Sequence, residues 1–142
     1  MEAGIRAGLS PRPELANRDE ALVRALLEAW ARAVREADMG GVLAHHADDI
    51  VMFDVPPPAQ LKGIDAYRKS WERFFAYQSK GGAFDLGELE IAAGDDVAFA
   101  HAILTCGSAD PVDQFPVRLT VGLRKVDGDW LVTHEHHSVP AG

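Results

Sequence analysis

The sequence contains only one cysteine, Cys106, and no uninterrupted apolar run of the length that a membrane span requires. A single cysteine excludes an intrachain disulfide and a zinc site built from several cysteines, which fits a reducing compartment. The N-terminal residues also lack the apolar core of a secretory signal peptide. We therefore expect a cytoplasmic protein in which Cys106 is a small buried hydrophobic residue.

Basic residues are scarce: 14 Lys and Arg stand against 22 Asp and Glu, for a net charge of −8, and they form no basic patch. A chain with this charge repels nucleic-acid phosphates and anionic membranes, so we expect neither as a partner. The 142 residues are 47% hydrophobic and 25% charged, which is typical of one soluble globular domain. We assign residues 1–15 as a flexible N-terminal lead-in and residues 16–142 as that domain.

Two segments have the apolar spacing of amphipathic helices, and residues 39–47 between them predict a short helix or turn. The first helix spans residues 17–38, with Asn17 as N-cap and Glu20 as the second half of a capping box. Its apolar stripe consists of Leu22, Leu26, Ala29, Trp30, Ala33, Val34 and Ala37. The other helix spans residues 64–78, and its stripe consists of Ile64, Tyr67, Trp71, Phe74, Phe75 and Gln78.

The remaining segments have the composition and alternation of β-strands. A first strand over residues 48–55 stops at three consecutive prolines that begin with Pro56. Four later strands are predicted over residues 83–92, 96–106, 115–126 and 129–138. Helices followed by a meander of strands indicate an α+β fold in which the helices pack on one face of an antiparallel sheet.

The segment "KVDGDW" between the last two strands predicts a three-residue hairpin loop with Gly128 in the left-handed conformation. This loop pairs Leu119 with Glu135 and Val117 with His137, whereas a two-residue turn would change these partners. Because side chains alternate along a strand, Glu135 and His137 join an apolar face. The other face carries the set Trp130, Val132, His134, His136 and Ser138, together with Arg118 and Thr120.

Histidines are clustered in the segment "HEHHSVP", which admits two interpretations of His134 and His136. With His101 as a third ligand, the pair could bind zinc, iron or copper. Alternatively, both imidazoles form hydrogen bonds with Thr120, Ser138 or a partner chain. Spacing specifies no third ligand and Arg118 lies nearby, so we favour the structural interpretation and expect no tightly bound metal. We interpret the other two histidines, His45 and His46, as solvated residues of a loop.

The order of the segments resembles the nuclear transport factor two-like superfamily, which includes ketosteroid isomerases and SnoaL-like polyketide cyclases. Three stretches carry the resemblance: "EADMGGVLAHHADDIVMFD", "KGIDAYRKSWERFF" and "RLTVGLRKVDGDWLVTHEHHSVP". The last is also similar to the end of the association domain of calmodulin-dependent protein kinase. The resemblance implies a cystatin-like roll: a cone-shaped, curved antiparallel sheet wrapped around a long N-terminal helix and two further helices.

The resemblance also implies roles for particular residues. The isomerase general base is an Asp after the first strand, nine residues before a Gly that opens the next helix, and Asp54 precedes Gly63 by that distance. The isomerase oxyanion donors do not match, because their Tyr and Asp fall near Trp30 and Val117. In the kinase domain an Arg of the pocket matches His137, on the face that also carries Glu135.

A cavity between the concave sheet and the helices follows from this fold, and apolar walls with a few polar groups suit a small molecule. We predict three catalytic residues: Asp54 as the base, with Glu135 and His137 orienting the substrate or returning the proton. A carboxylate and an imidazole on an apolar face need each other or a ligand. The predicted substrate-binding residues are Trp30, Tyr67, Trp71, Phe75, His101 and Leu119, although aromatic residues at helical spacing are more often simple core.

Two functions remain open at the level of the sequence. The first is a cofactor-free isomerase, cyclase or dehydratase that transfers a proton next to a carbonyl group of a small apolar ligand. The second is a non-catalytic oligomerisation or ligand-binding module with a vestigial pocket. We also predict a homodimer, because helices cover only one face of the sheet and the predicted other face is too apolar to remain wet.

Overall fold

The protein is described by a computed structural model over residues 13–78 and 81–141, with side chains from residue 18 onward. The three helices are α1 (Pro13–Arg35), α2 (Met39–Leu43) and α3 (Ile64–Tyr77), and Pro111–Asp113 forms a short 3₁₀ turn. The six strands are β1 (His46–Phe53), β2 (Leu61–Lys62), β3 (Ala83–Ala93), β4 (Val97–Gly107), β5 (Phe115–Val126) and β6 (Asp129–Ser138). Residues 1–12 of the predicted lead-in lie outside the described residues.

The strands form one sheet in the order β2-β1-β6-β5-β4-β3. All neighbours are antiparallel except β1 and β6, which pair in parallel. The predicted α+β class, with a curved sheet and three helices, is confirmed. The prediction of a purely antiparallel sheet is wrong for one pair, because β1 lies parallel to β6, the last strand of the meander.

Helix α1 packs its apolar stripe against the sheet, but the stripe is turned by about one residue from the predicted position. The buried residues are Val23, Leu27, Trp30, Ala31, Ala33 and Val34. Leu22 is 52% exposed and Ala29 is exposed as well, so both lie outside the core. The predicted capping box is wrong, because the helix begins at Pro13 and Asn17 lies inside it. Proline fits a first helical turn, where its missing N–H has no helical partner.

The hairpin between β5 and β6 differs from the predicted one. Asp127 and Gly128 both have positive φ, at 51° and 86°, and Val126 pairs with Asp129. This is the two-residue loop with both positions left-handed, whose twist matches that of the flanking strands. The predicted three-residue loop and its register are therefore wrong.

A bulge in β6 decides which side chains of that strand face the helices. The register shifts between Gly122 and Leu123, which leaves Thr133 as the extra residue. Residues before and after a bulge exchange faces relative to simple alternation. The structure therefore keeps Glu135 and His137 on the inner face, and it moves two residues predicted for the outer face, Trp130 and Val132, into the core.

The core lies between the concave face of the sheet and the helices. Its largest fully buried side chains include Tyr67, Leu27, Ile50, Met52, Leu104, Leu119 and Leu123, and the carboxylate of Glu135 is buried among them. No helix in the described part of the chain is long and apolar enough to cross a membrane.

Candidate functional site

A cavity of about 500 Å³ opens between α3, the loop after β1 and one end of the sheet. Its volume is in the range of small-molecule sites, about 300–1,000 Å³. The polar side chains on its wall are those of Asp54, Ser70, Arg73 and His137. The apolar part consists of Val55, Pro56, Trp71, Phe74, Tyr77, Phe84, Cys106, Phe115, Val117 and Val139.

Asp54 is held at this cavity by the end of β1. The strand stops at Phe53, and the prolines from Pro56 onward cannot continue it. One carboxylate oxygen of Asp54 accepts a hydrogen bond from the N–H of Val55 at 2.8 Å, and the side chain is 24% exposed. The same oxygen, Oδ1, lies 3.9 Å from Nδ1 of His137. The position of Asp54 agrees with the sequence, and its role as a base stays a prediction.

Behind His137 lies a buried set of hydrogen-bonded side chains, which we call the Glu135 network: Trp30, His46, Tyr67, Glu135 and His137. Glu135 is only 1% exposed, and its Oε1 lies 3.0 Å from Nε2 of His137. Its Oε2 accepts the hydroxyl proton of Tyr67 at 2.7 Å and lies 2.9 Å from Nε2 of His46. The indole N–H of Trp30 donates to the Tyr67 hydroxyl at 3.0 Å. Every oxygen of the buried carboxylate therefore has partners, as burial of a charge requires.

The network sets the ionisation of its members. Burial by itself would raise the pKa of Glu135, but hydrogen bonds from His137 and His46, and the charge on these imidazoles, lower it to about 2. Burial, the negative charge of Glu135 and the hydrogen bond to it raise the pKa of Tyr67 well above its ordinary value. Glu135 is thus a carboxylate near neutral pH, and Tyr67 is a protonated donor.

The lowered pKa of Glu135 predicts a loss of stability in acid. The folded pKa of about 2 lies below the ordinary 4.5, so the unfolded chain binds a proton that the folded chain does not. The stabilisation is fully present above about pH 4.5 and is lost as the pH falls toward 2, by an amount on the order of 3 kcal/mol. Urea unfolding at a series of acidic pH values measures this slope.

A matched pair of variants assigns that acid slope to its source. Glu135→Gln removes the titrating group, so its unfolding free energy should depend less on pH in this window. Glu90→Gln changes an exposed residue of β3 and should keep the slope of the unmodified protein. An unchanged slope in Glu135→Gln would show that other carboxylates cause the acid sensitivity.

The network also orients His137. Because a carboxylate only accepts, the contact with Oε1 requires a proton on Nε2 of His137. In the neutral imidazole, Nδ1 is then a free lone pair on the side of Asp54 and the cavity. The rings of Trp30 and Trp71 flank the imidazole, each with its centroid 6.3 Å away. The arrangement presents a carboxylate and an oriented imidazole, two groups that can exchange protons, at one wall of the cavity.

Most of the other predicted substrate-binding residues do not line the cavity. Trp71 does, and its indole N–H has no hydrogen-bond partner among the described residues. Trp30 and Tyr67 are buried behind His137, and Leu119 is a core residue. Phe75 lines a separate small cleft beside Gln78. Glu135, predicted to contact the substrate, also lies behind the cavity wall.

The predicted position of His101 in the pocket is wrong. Its side chain is exposed on the outer face of β4, with the bulky residues Val97, Phe99 and Ile103. The small residues on the opposite side face the core: Ala98, Ala100 and Ala102. Bulky apolar side chains are more often buried, so the buried face of this strand could not be identified from side-chain size alone.

His46 is the main residue that the sequence interpretation missed. It was expected in a solvated loop, but its side chain is fully buried in the Glu135 network. The strand pattern could not reveal this, because the pairing of β1 with β6 shifts between His46 and Val51. Counting back by two from the buried Ile50 leads to Asp48, which is exposed. Arg73 was missed because it lies beside the predicted apolar stripe of α3.

Cys106 lines the cavity as a buried thiol. Burial, with a smaller contribution from the charge of Asp85, raises its pKa to about 12. A thiol in this state is a poor nucleophile and behaves as a small apolar side chain. This agrees with the expectation from the sequence.

The remaining histidines of the C-terminal cluster lie on the outer face. Nδ1 of His134 donates to the carbonyl oxygen of Val51 at 2.7 Å, instead of the predicted Thr120 or Ser138. The Phe53 ring packs against His134 and His136, with centroid distances of 4.8 and 5.4 Å. Within residues 13–78 and 81–141, no three His, Cys, Asp or Glu side chains are grouped as a metal site.

Comparison with known families and structures identifies the class of protein. Residues 23–142 match the SnoaL-like domain, so the chain belongs to the SnoaL-like domain family. An NTF2-like (nuclear transport factor two-like) protein of unknown function from Pseudomonas putida KT2440 has 38% identity and a TM-score of 0.85. The match covers 89% of this chain and 90% of that chain. The predicted superfamily is confirmed.

More distant structures share the fold. A dehydratase candidate from the NTF2-like family of Streptomyces avermitilis has 16% identity and a TM-score of 0.76, over 89% of this chain and 99% of that one. A ketosteroid isomerase-like protein from Erwinia carotovora atroseptica SCRI1043 has 22% identity and a TM-score of 0.68, over 86% and 96%. The sequence has no significant match among curated proteins.

Proposed function

We propose that the protein is an enzyme that transfers a proton at a carbon next to the carbonyl group of a small apolar substrate, without a metal or an organic cofactor. The observation that carries the proposal is the pair of Asp54 and His137, 3.9 Å apart, on the wall of a largely apolar cavity of about 500 Å³. Cofactor-free isomerases, cyclases and dehydratases share this proton transfer next to a carbonyl group. The names of the distant structural relatives are compatible with it.

In the proposed reaction, the carboxylate of Asp54 removes the proton and the electron pair of the C–H bond moves onto the carbonyl oxygen as an enolate. The proton passes from Asp54 to Nδ1 of His137 and returns to the substrate at a second carbon, so that atoms and charge balance. Glu135 acts on His137 from behind, since it does not line the cavity. An apolar wall favours this transfer, because it excludes water that would otherwise solvate the carboxylate.

The negative charge on the enolate oxygen needs a hydrogen-bond donor, and stabilisation of such a charge usually contributes a large part of the rate enhancement. Trp30 and Tyr67 already donate their protons within the Glu135 network. His101 lies outside the cavity. Donors on the cavity wall include the indole N–H of Trp71, the hydroxyl of Tyr77, protonated His137 and the guanidinium of Arg73. We propose Arg73 as the donor, because its guanidinium carries a permanent positive charge.

Exchange of carbon-bound hydrogen with D₂O tests the proposal even when the product is unidentified. A panel of small apolar ketones and aldehydes is incubated with the protein, and NMR follows the loss of the protons next to the carbonyl. We expect faster exchange for at least one compound that native mass spectrometry also detects as an adduct. Adducts without accelerated exchange would support the alternative of a binding module, and an empty cavity with no exchange would contradict both.

A pair of variants on β5 ties the exchange to the cavity. Val117 is buried and lines the cavity, whereas Thr120 is exposed on the outer face of the same strand. Val117→Phe should fill part of the cavity and reduce exchange, and Thr120→Phe should leave it unchanged. Equal exchange rates in the two variants would place the reaction elsewhere.

We also propose that the protein forms a homodimer through the outer face of the sheet. The apolar residues of that face come from β4, with Phe99 53% and Ile103 40% exposed, and no longer from Trp130 and Val132. Exposed apolar side chains close together on one strand favour a contact that covers them.

Light scattering should therefore give a dimer at micromolar concentration. Phe99→Glu should give a monomer, and Val126→Glu, which changes another exposed apolar residue at the hairpin, should remain a dimer. A monomeric unmodified protein would contradict the proposal.

A further inference from the structure

The hydrogen-bond contacts of His46 indicate which of its two ring nitrogens carry protons. It is the first residue of β1, and its ring is fully buried. Nδ1 lies 2.8 Å from the carbonyl oxygen of Ala44. A carbonyl oxygen only accepts hydrogen bonds, so Nδ1 carries a proton.

The other nitrogen, Nε2, lies at a three-way contact. It is 2.9 Å from Oε2 of Glu135 and 3.0 Å from the hydroxyl oxygen of Tyr67, and those two oxygens are 2.7 Å apart. The hydroxyl proton of Tyr67 forms the hydrogen bond to Glu135, and the hydroxyl oxygen accepts a hydrogen bond from the indole of Trp30. The contact between Nε2 and Oε2 therefore needs a second proton, because two lone pairs at that distance repel each other.

That second proton belongs on His46. An imidazole is the stronger base, with an ordinary pKa of about 6.5 against about 4.3 for a glutamate. Glu135 also accepts hydrogen bonds from Tyr67 and His137, which favours its charged form. A buried imidazolium beside a buried carboxylate leaves no net charge in the core, and each charge has its partner.

We propose that His46 is a positioning residue: a buried imidazolium that holds Glu135 ionised, so that Glu135 holds His137 with its proton on Nε2 and its Nδ1 lone pair toward the cavity. The link to catalysis rests on the function proposed above, whereas the protonation of His46 does not depend on it. The sequence carries no motif for this arrangement, because β1, α3 and β6 contribute one group each to the contact.

The charges around His137 give the proposal a second consequence. Glu135 faces its Nε2 and Asp54 faces its Nδ1, so both carboxylates favour a proton on this imidazole. The imidazolium of His46 acts on this ring only through Glu135, and the remaining neighbours, Tyr67 and Trp30, are neutral donors. Without the charge of His46, Glu135 loses the group that keeps it ionised, so it should no longer hold the proton of a neutral His137 on Nε2.

Nitrogen-15 NMR of the histidine rings tests the proposal on the unmodified protein from about pH 5 to about pH 8, the range in which histidines normally titrate. We expect both ring nitrogens of His46 to remain protonated throughout. Where His137 is neutral, its proton should be on Nε2 alone. A bare ring nitrogen on His46 at neutral pH, or a neutral His137 protonated on Nδ1, would overturn the proposal.

Two adjacent histidines provide matched variants. In His46→Asn, a neutral His137 should carry its proton on Nδ1 in part of the molecules, because Glu135 no longer holds that proton on Nε2. His45→Asn changes an exposed residue at positive φ, which asparagine tolerates, and should leave the proton of a neutral His137 on Nε2 alone. The same tautomer of His137 in both variants would contradict a role for the charge of His46.

A third variant keeps the test decisive if His46→Asn does not fold. Tyr67→Phe removes the hydroxyl proton but leaves the contact between His46 and Glu135, so both nitrogens of His46 should stay protonated. Loss of one of these protons in Tyr67→Phe would show that the proposed proton count is wrong. A failed exchange assay would leave these spectra unaffected, so the two proposals can fail separately.

Discussion

Replacing Glu135 with alanine should lower the free energy of unfolding by roughly 3–5 kcal/mol, the usual cost of removing one partner from a buried ion pair. The carboxylate is the common acceptor for Tyr67, His46 and His137. Without it, these groups remain buried with unpaired protons, and the imidazolium of His46 loses its counter-charge. Urea unfolding near neutral pH, followed by circular dichroism, measures the change.

Two further variants separate the causes of this loss. Glu135→Gln keeps an acceptor oxygen but loses the charge and adds an N–H group, so its stability should lie between those of Glu135→Ala and the unmodified protein. Glu90→Ala removes an exposed carboxylate from β3, and its effect should stay within about 0.5 kcal/mol. If Glu135→Ala lost less than about 1 kcal/mol, the network would not be a stabilising feature of the core.

Replacing Asp54 with asparagine should slow turnover about 100-fold or more while the affinity for the substrate stays similar. Asparagine is nearly isosteric with aspartate, so the cavity keeps its shape, but an amide cannot accept the substrate proton as a base. The hydrogen bond from the N–H of Val55 can be retained by the amide oxygen. Exchange or turnover rates, with dissociation constants from calorimetry, measure both quantities for a compound found in the D₂O screen.

The control for this variant is Asp49→Asn, which removes an exposed carboxylate from the same strand, β1, and should change neither quantity. Unchanged turnover in Asp54→Asn would mean that the base lies elsewhere. His137→Ala would then be the next variant, because His137 is the other titratable group beside Asp54 on the cavity wall.

Element boundaries were predictable because the signals for them are local. The last two strands, 115–126 and 129–138, begin and end at the predicted residues. Helix α3 starts at Ile64, directly after Gly63, as the sequence indicates. Period, turn residues and prolines all act within a few residues, so a single sequence carries them. The start of α1 was missed because Asn17 is a residue type that often caps helices, but it lies inside this one.

Side-chain direction was less predictable wherever a strand contains a bulge. In β6 the extra Thr133 reverses the alternation of side chains. Trp130 and Glu135 therefore both face the core, although strict alternation would place them on opposite faces. In β1 the irregularity between His46 and Val51 interrupts the alternation, since Asp48 is exposed although His46 and Ile50 are buried. A bulge depends on how two strands pair, and neither strand sequence specifies it alone.

The amino-acid sequence was sufficient for the α+β class and for the order of the elements apart from β2, because alternation, helical spacing and chain-stopping prolines are properties of short segments. The expectation that Asp54 and His137 lie at one cavity came from the resemblance to the superfamily. Tertiary packing was needed to show that His46 and Tyr67 meet Glu135, and that His101 lies outside. Those residues come from strands and a helix far apart in the chain, and their contacts follow from strand register and from the space left under the helices. The sequence therefore indicated that the carboxylate of Glu135 needs a partner. Its partners could be identified only from the fold.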